Sequence, residues 1–189
     1  YSLLNDNIRE MFEDNQGNLW IASFQSGINI HINSPYQFNH FYFPPEENTE
    51  YRSSTVLSFL VDKDILWVGT DGGGLKKINW KTNSVVTYLP GNGSNNIPDR
   101  VVMTIYKDYE GIYWLGTYLG GLVRFNPENN AFKSFTYNPT DNFSISSNYV
   151  TAILEDTKGN FWIGTNGGGI CLFDKRSQKF TRFIESVEN

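Results

Sequence analysis

Four tryptophans, Trp20, Trp67, Trp114 and Trp162, stand 47, 47 and 48 residues apart, each in the same local register, and so divide the chain into four copies of one unit. Two residues after each Trp come Ala22, Gly69, Gly116 and Gly164, and three after come Ser23, Thr70, Thr117 and Thr165. Gly27, Gly74, Gly121 and Gly169 follow at seven, and aromatic or aliphatic residues recur at 18 and 21, as Phe132 and Phe135 or Phe180 and Phe183. Three units also carry Asp-x-x-Gly-x-x-Trp, beginning at Asp14, Asp108 and Asp156, whereas the second is one residue shorter at Asp62-Lys63-Asp64. Trp80 lies outside the pattern. Self-similarity at this period marks a repeat architecture, in which each unit buries its apolar surface against its neighbours.

Each unit contains four short apolar or alternating runs, in the last unit Val150 to Glu155, Phe161 to Thr165, Gly169 to Asp174 and Lys179 to Ile184. Runs of this length suit strands and are too short for helices. The Asp156-Thr-Lys-Gly159 segment has hairpin chemistry, and Asn166-Gly-Gly-Gly169 supplies positive φ for a second tight reversal. Aromatic residues at 16% and 17 glycines fit the same picture. The expected fold is all-β: β-propeller blades, four of them, each a four-stranded antiparallel sheet of about 47 residues, at roughly 1–48, 49–95, 96–143 and 144–189. Four blades are expected either to be part of a larger propeller or to close a ring by self-association. A twisted sheet buries both faces only between two others, so the repeated aromatic residues read as packing between blades.

At this point the residues resemble a known family. Val150 to Ile170, Val-Thr-Ala-Ile-Leu-Glu-Asp-Thr-Lys-Gly-Asn-Phe-Trp-Ile-Gly-Thr-Asn-Gly-Gly-Gly-Ile, and Leu66 to Leu75, Leu-Trp-Val-Gly-Thr-Asp-Gly-Gly-Gly-Leu, are similar to the repeat of the two-component regulator propellers. These form the extracytoplasmic sensor of hybrid histidine kinases in gut Bacteroidetes. The resemblance implies a periplasmic segment of an inner-membrane protein that responds to oligosaccharides, reaches the membrane only through its parent, and is itself no enzyme. The parent would be the histidine kinase. The N-terminus, Tyr1-Ser-Leu-Leu, has neither an initiator Met nor a signal-peptide pattern, which reads as a piece of a longer polypeptide. A protein-interaction propeller and a carbohydrate-active propeller enzyme are the two alternative readings.

With the first strand of each unit innermost, as in related propellers, the links between units and the glycine-rich turns share one face, where ligands of propellers usually bind. Asp6, Ser54, Arg100 and Asn148 lead into the innermost strands. The turns after the Trp strands hold Phe24 and Gln25, Asp71, Tyr118 and Asn166, with Tyr149 beside them. Positions that vary on a repeating scaffold are free to serve binding. Arg100 and Asp71 could bond hydroxyls or a carboxylate, and Phe24, Tyr118 or Tyr149 could stack on a sugar ring. The opposite reading has Asp71 and Asn166 capping their own turns and Arg100 paired with Asp99 or Asp141.

Other chemistries find little support. A net charge of −5 gives no electrostatic footprint for nucleic acid. One cysteine, Cys171, and two histidines, His31 and His40, make no metal or cofactor site, so neither is expected, and no histidine base is gathered for catalysis. Asp62 and Asp64 fall in a turn on the opposite face. Bare terminal blades are expected to drive self-association.

Overall fold

The computed structural model describes residues 3, 5–24, 26–32, 38–41, 55–91 and 96–185. They form sixteen strands in four antiparallel sheets, with no helix among them. The first sheet is β1 (Ile8–Glu13), β2 (Leu19–Ser23), β3 (Gly27–His31) and β4 (Phe38–Phe41). The second is β5 (Val56–Asp62), β6 (Ile65–Thr70), β7 (Leu75–Asn79) and β8 (Ser84–Tyr88). The third is β9 (Val102–Lys107), β10 (Tyr113–Thr117), β11 (Leu122–Asn126) and β12 (Ala131–Phe135), and the fourth is β13 (Val150–Glu155), β14 (Phe161–Thr165), β15 (Ile170–Asp174) and β16 (Lys179–Phe183). In every sheet the strands lie in sequence order, so each is an up-and-down blade. Neighbouring blades meet through β1, β5, β9 and β13, which places the first strand of each unit innermost, as the resemblance to known propellers implies.

Each blade turns a trailing face, carrying its Trp, to the leading face of the next. Trp20, Ala22, Ile28 and Ile30 pack with Val56, Phe59, Leu66, Val68 and Ile78 of the second blade. Trp67 and Leu75 pack with Val102, Ile105, Leu115 and Phe125 of the third, and Trp114 and Leu122 with Val150, Ile153, Phe161 and Phe173 of the fourth. Because both faces of the Trp strand are covered, its sequence reads as an unbroken apolar run, as in Ile65-Leu-Trp-Val. Each fully buried large side chain contributes about 1.5–3 kcal/mol, which makes these three seams the main source of cohesion. The small residue two after the Trp lets the inner strands approach: a Cβ on Gly116 would lie 2.6 Å from Thr104 Cγ2 and 2.8 Å from the Val150 carbonyl oxygen.

The Asp-x-x-Gly turn does more than reverse the chain. Asp108 Oδ1 accepts the backbone N–H of Glu110 and Ile112, and its Oδ2 accepts the indole N–H of Trp114 at 2.8 Å. Asp14 and Asp156 hold Trp20 and Trp162 in the same way, at 2.9 and 3.1 Å. Partial burial pushes the Asp14 carboxyl up, but the bonds from Trp20 and Asn18 outweigh it and hold the group below the usual carboxylate range. In the second blade the shortened turn removes this clamp. Asp62 instead accepts from Lys107 Nζ at 2.7 Å and from the Tyr113 hydroxyl, both on the next blade. Trp67 Nε1 is left without a well-formed hydrogen bond among the described residues and has only a weak interaction with Tyr113.

Trp80, the outlier of the repeat, has a role of this kind. It follows β7, and its ring meets Trp20 edge-on at 6.2 Å, so it covers the exposed rim of the preceding blade's tryptophan. Lys175 holds the same place after β15 and reaches back to Asp108 at 3.2 Å while pairing with Glu155 at 2.8 Å. One position thus latches two seams by different chemistry, an aromatic edge and a nearly buried ion pair.

Candidate functional site

The upper rim of the arc holds the links between blades and the glycine-rich turns, and a repeated hydrogen bond shapes it. The residue four after each Trp donates its backbone N–H to the carbonyl just before the inner strand: Phe24 to Asn7, Asp71 to Thr55, Tyr118 to Val101 and Asn166 to Tyr149, at 2.8 to 3.2 Å. The backbone at Phe24, Asp71, Tyr118 and Asn166 is therefore fixed beside the mouth of the central channel, while their side chains differ in kind. Glycine is needed three residues further on, where Gly27, Gly74, Gly121 and Gly169 all have φ between 67° and 86°. Thr70, Thr117 and Thr165 close the turn by donating their hydroxyls to the glycine carbonyls.

Asp71 and Asn166 are exposed, and their side chains make no hydrogen bond among the described residues, so neither caps its own turn. Tyr118 and Tyr149 pack edge to face with centroids 4.7 Å apart, and Tyr118 remains 43% exposed. Together with the exposed Leu119 they form an aromatic platform across the third and fourth blades. Asp99 is consumed beneath it, accepting the N–H groups of Val101 and Leu119. Asp141 caps Phe143 N–H, and its carbonyl receives Arg182.

Two predicted residues serve the scaffold as well. Asn148 Oδ1 accepts the N–H of Tyr137 at 2.7 Å, and its carbonyl accepts Gly121 N–H from the preceding blade. The Arg100 carbonyl does the same for Gly74. The Asn148 side chain is thereby engaged in the link, whereas Arg100 is half-buried on the rim. Asp6 is exposed ahead of β1. Gln25 and Ser54 lie outside the described residues.

The sequence reading missed the inner-strand bulges. Each blade has a register shift at its first strand, between Ile8 and Glu10, Val56 and Ser58, Val102 and Thr104, and Val150 and Ala152. The extra residues are Arg9, Leu57, Met103 and Thr151, again of different kinds at one place. Such bulges re-aim a side chain. A break in apolar alternation ahead of the Trp strand is the only signal for them, and it is weak in so short a run. Glu10 beside Arg9 turns toward the second blade, where its carboxylate accepts Phe59 N–H at 3.0 Å; burial raises it above the usual carboxylate range.

The lower rim holds a cleft of about 450 Å³ bounded by Phe143, Phe161, Lys175 and Lys179. Both of its lysines and its Asn160 are already engaged: Lys175 by Asp108 and Glu155, Asn160 by Asp156, and Lys179 over the Phe143 ring at 4.4 Å. Cys171 is buried against Ser146 in the core of the fourth blade. No group of three or more metal-ligating side chains occurs among the described residues.

An arc of up-and-down blades, laid side by side around a channel with a chemically varied upper mouth, is a β-propeller segment. Three of its repeats are similar to those of the two component regulator propeller family, whose model matches residues 2–25, 96–119 and 144–167. The chain is 29% identical over 143 residues to a histidine kinase, P4, of Formosa agariphila, a match that covers 71% of the chain. In structure it is similar to the extracellular domain of a hybrid two-component system from B. thetaiotaomicron, with TM-score 0.79, 24% identity and 100% of the chain covered. The extracellular domain of a one-component system from the same organism matches with TM-score 0.72, 23% identity and 96% coverage. The chain spans 9% of the length of the kinase and about a quarter of each extracellular domain.

Proposed function

We propose that this chain is the ligand-sensing part of an extracytoplasmic propeller in a hybrid two-component regulator, that it lies in the periplasm as part of an inner-membrane histidine kinase, and that its ligand is an oligosaccharide bound at the upper mouth. The family and the histidine kinase relative support the signalling role. The observation that carries the site is the repeated backbone bond that fixes Phe24, Asp71, Tyr118 and Asn166 in equivalent places while their side chains are aromatic, acidic, aromatic and amide. Conserved geometry with divergent chemistry is what selective binding on a repeat scaffold needs. The Tyr118–Tyr149 platform offers an apolar face to a sugar ring, and Asp71 and Asn166 offer acceptors and donors to its hydroxyls. Sensing further requires the ligand to bind one arrangement of the propeller better than another.

The test is a thermal-shift screen of oligosaccharides against the wild-type chain, followed by calorimetry on Tyr118→Ala. The expected result is a concentration-dependent rise in midpoint for at least one glycan, weakened about tenfold by the substitution, equivalent to about 1.4 kcal/mol. A full screen without any rise, or a rise indifferent to Tyr118, would overturn the proposed site and favour a protein-docking propeller.

A further inference from the structure

Within the mouth just described, Arg9 is a cation without a carboxylate partner among the described residues; its one contact is with an aromatic ring. The bulge between Ile8 and Glu10 takes it out of the strand's alternation and leaves it exposed. Its Cζ lies 4.6 Å from the centroid of Phe24, whose own N–H is tied to Asn7. An arginine braced in this way loses less freedom on binding, and its N–H donors form a fork that matches an oxyanion with two oxygens on one side. The neighbouring acid does not neutralise it, because Glu10 is directed at Phe59 N–H. The equivalent bulge residues in the other blades, Leu57, Met103 and Thr151, are neutral, so the charge marks the inner strand of one blade.

We propose that Arg9, supported by Phe24, is an oxyanion subsite of the mouth and selects ligands bearing a carboxylate or sulfate group. This rests on the reading of the upper mouth as the ligand site, and narrows its ligand to an acidic sugar. Aromatic stacking alone cannot make that selection, since a ring face accepts neutral and acidic sugars alike.

Two probes test it. Inorganic sulfate, titrated at constant ionic strength, is followed through the arginine Nε–H resonances. The Arg9 signal is expected to shift saturably while that of the exposed Arg176 does not; equal and unsaturable shifts of both would overturn the subsite. Oligogalacturonates and a sulfated oligosaccharide are then compared with carboxyl-reduced or desulfated counterparts. The wild-type chain should prefer the acidic forms, Arg9→Ala should lose at least about tenfold for them alone, and Arg9→Lys should retain part of the affinity. Acidic glycans bound equally well by Arg9→Ala would sink the subsite and leave the sensor reading intact. Saturable sulfate binding at Arg9 with no glycan bound would uphold the subsite and overturn the oligosaccharide reading. Arg9 is exposed, so unchanged melting of the variants serves as the control for folding.

Discussion

The aspartate that begins three of the turns ties a tryptophan to its own blade, and its absence from one blade gives a direct measure of what the tie contributes. Trp114 and Trp67 are each 2% exposed and pack on a following blade. Trp114 also donates to a carboxylate that has no exposed side-chain surface and is shared with Lys175. Replacing either by Phe removes similar apolar area, but only Trp114→Phe removes a bond to a charged acceptor, which contributes about 1.5–3 kcal/mol. Trp114→Phe is therefore expected to lower the unfolding free energy by about that much more than Trp67→Phe, measured by urea denaturation. Equal losses would show that Asp108 is satisfied without the indole. The Asp-x-x-Gly-x-x-Trp spacing was visible in the sequence as a turn; that its aspartate reaches the indole six residues on was not. Likewise the positions at which the four repeats differ were legible because the repeat supplies its own reference. Arg9 was hidden because a bulge shifts register without altering residue types.

At the level of the strand, the glycine two residues after the Trp measures how closely successive inner strands lie. Gly69 and Gly116 would each place a Cβ within 2.9 Å of atoms on the next blade, including Val102 O at 2.6 Å and Val150 O at 2.8 Å. Backbone atoms cannot yield as a side-chain tip can. Gly164 would meet only Ala152 of its own blade, at 3.2 Å. Gly116→Ala is accordingly expected to cost about 1–3 kcal/mol through overpacking, and Gly164→Ala to fall within about 0.5 kcal/mol of wild type. Thermal melts of the two variants decide it; a costly Gly164→Ala would mean that another sheet presses on that face. Strand limits follow the sequence closely, since four repeats of one pattern average out local ambiguity. The last blade differs from expectation only by single residues, with β15 starting at Ile170 and β16 ending at Phe183. The latches between blades were not legible, because Trp80 and Lys175 share a position but no chemistry.

For the molecule as a whole, the two outermost faces of the arc differ from the three seams inside it. Met11 occupies the place of Phe59, Ile105 and Ile153, which are 6–8% exposed, yet it is 65% exposed. On the opposite side Ile170 occupies the place of the fully buried Ile28, Leu75 and Leu122 and is 41% exposed, with Leu154 at 58% and Phe183 at 49% beside it. One molecule therefore presents a leading face and a trailing face that match each other as the internal seams match. Apolar patches of this sort drive association, and unlike faces associate head to tail, closing a ring only where the rotation allows. We propose that copies of this 189-residue chain pair in that way. Sedimentation should show concentration-dependent mass, and Met11→Asp and Leu154→Asp should each weaken association strongly without unfolding the blades. Mixing the two variants is the decisive step: one intact leading face then meets one intact trailing face, so pairs should form and growth should stop at the dimer. A wild-type chain that stays monomeric throughout would exclude the pairing, and variants that associate as strongly as wild type would exclude these faces as its origin.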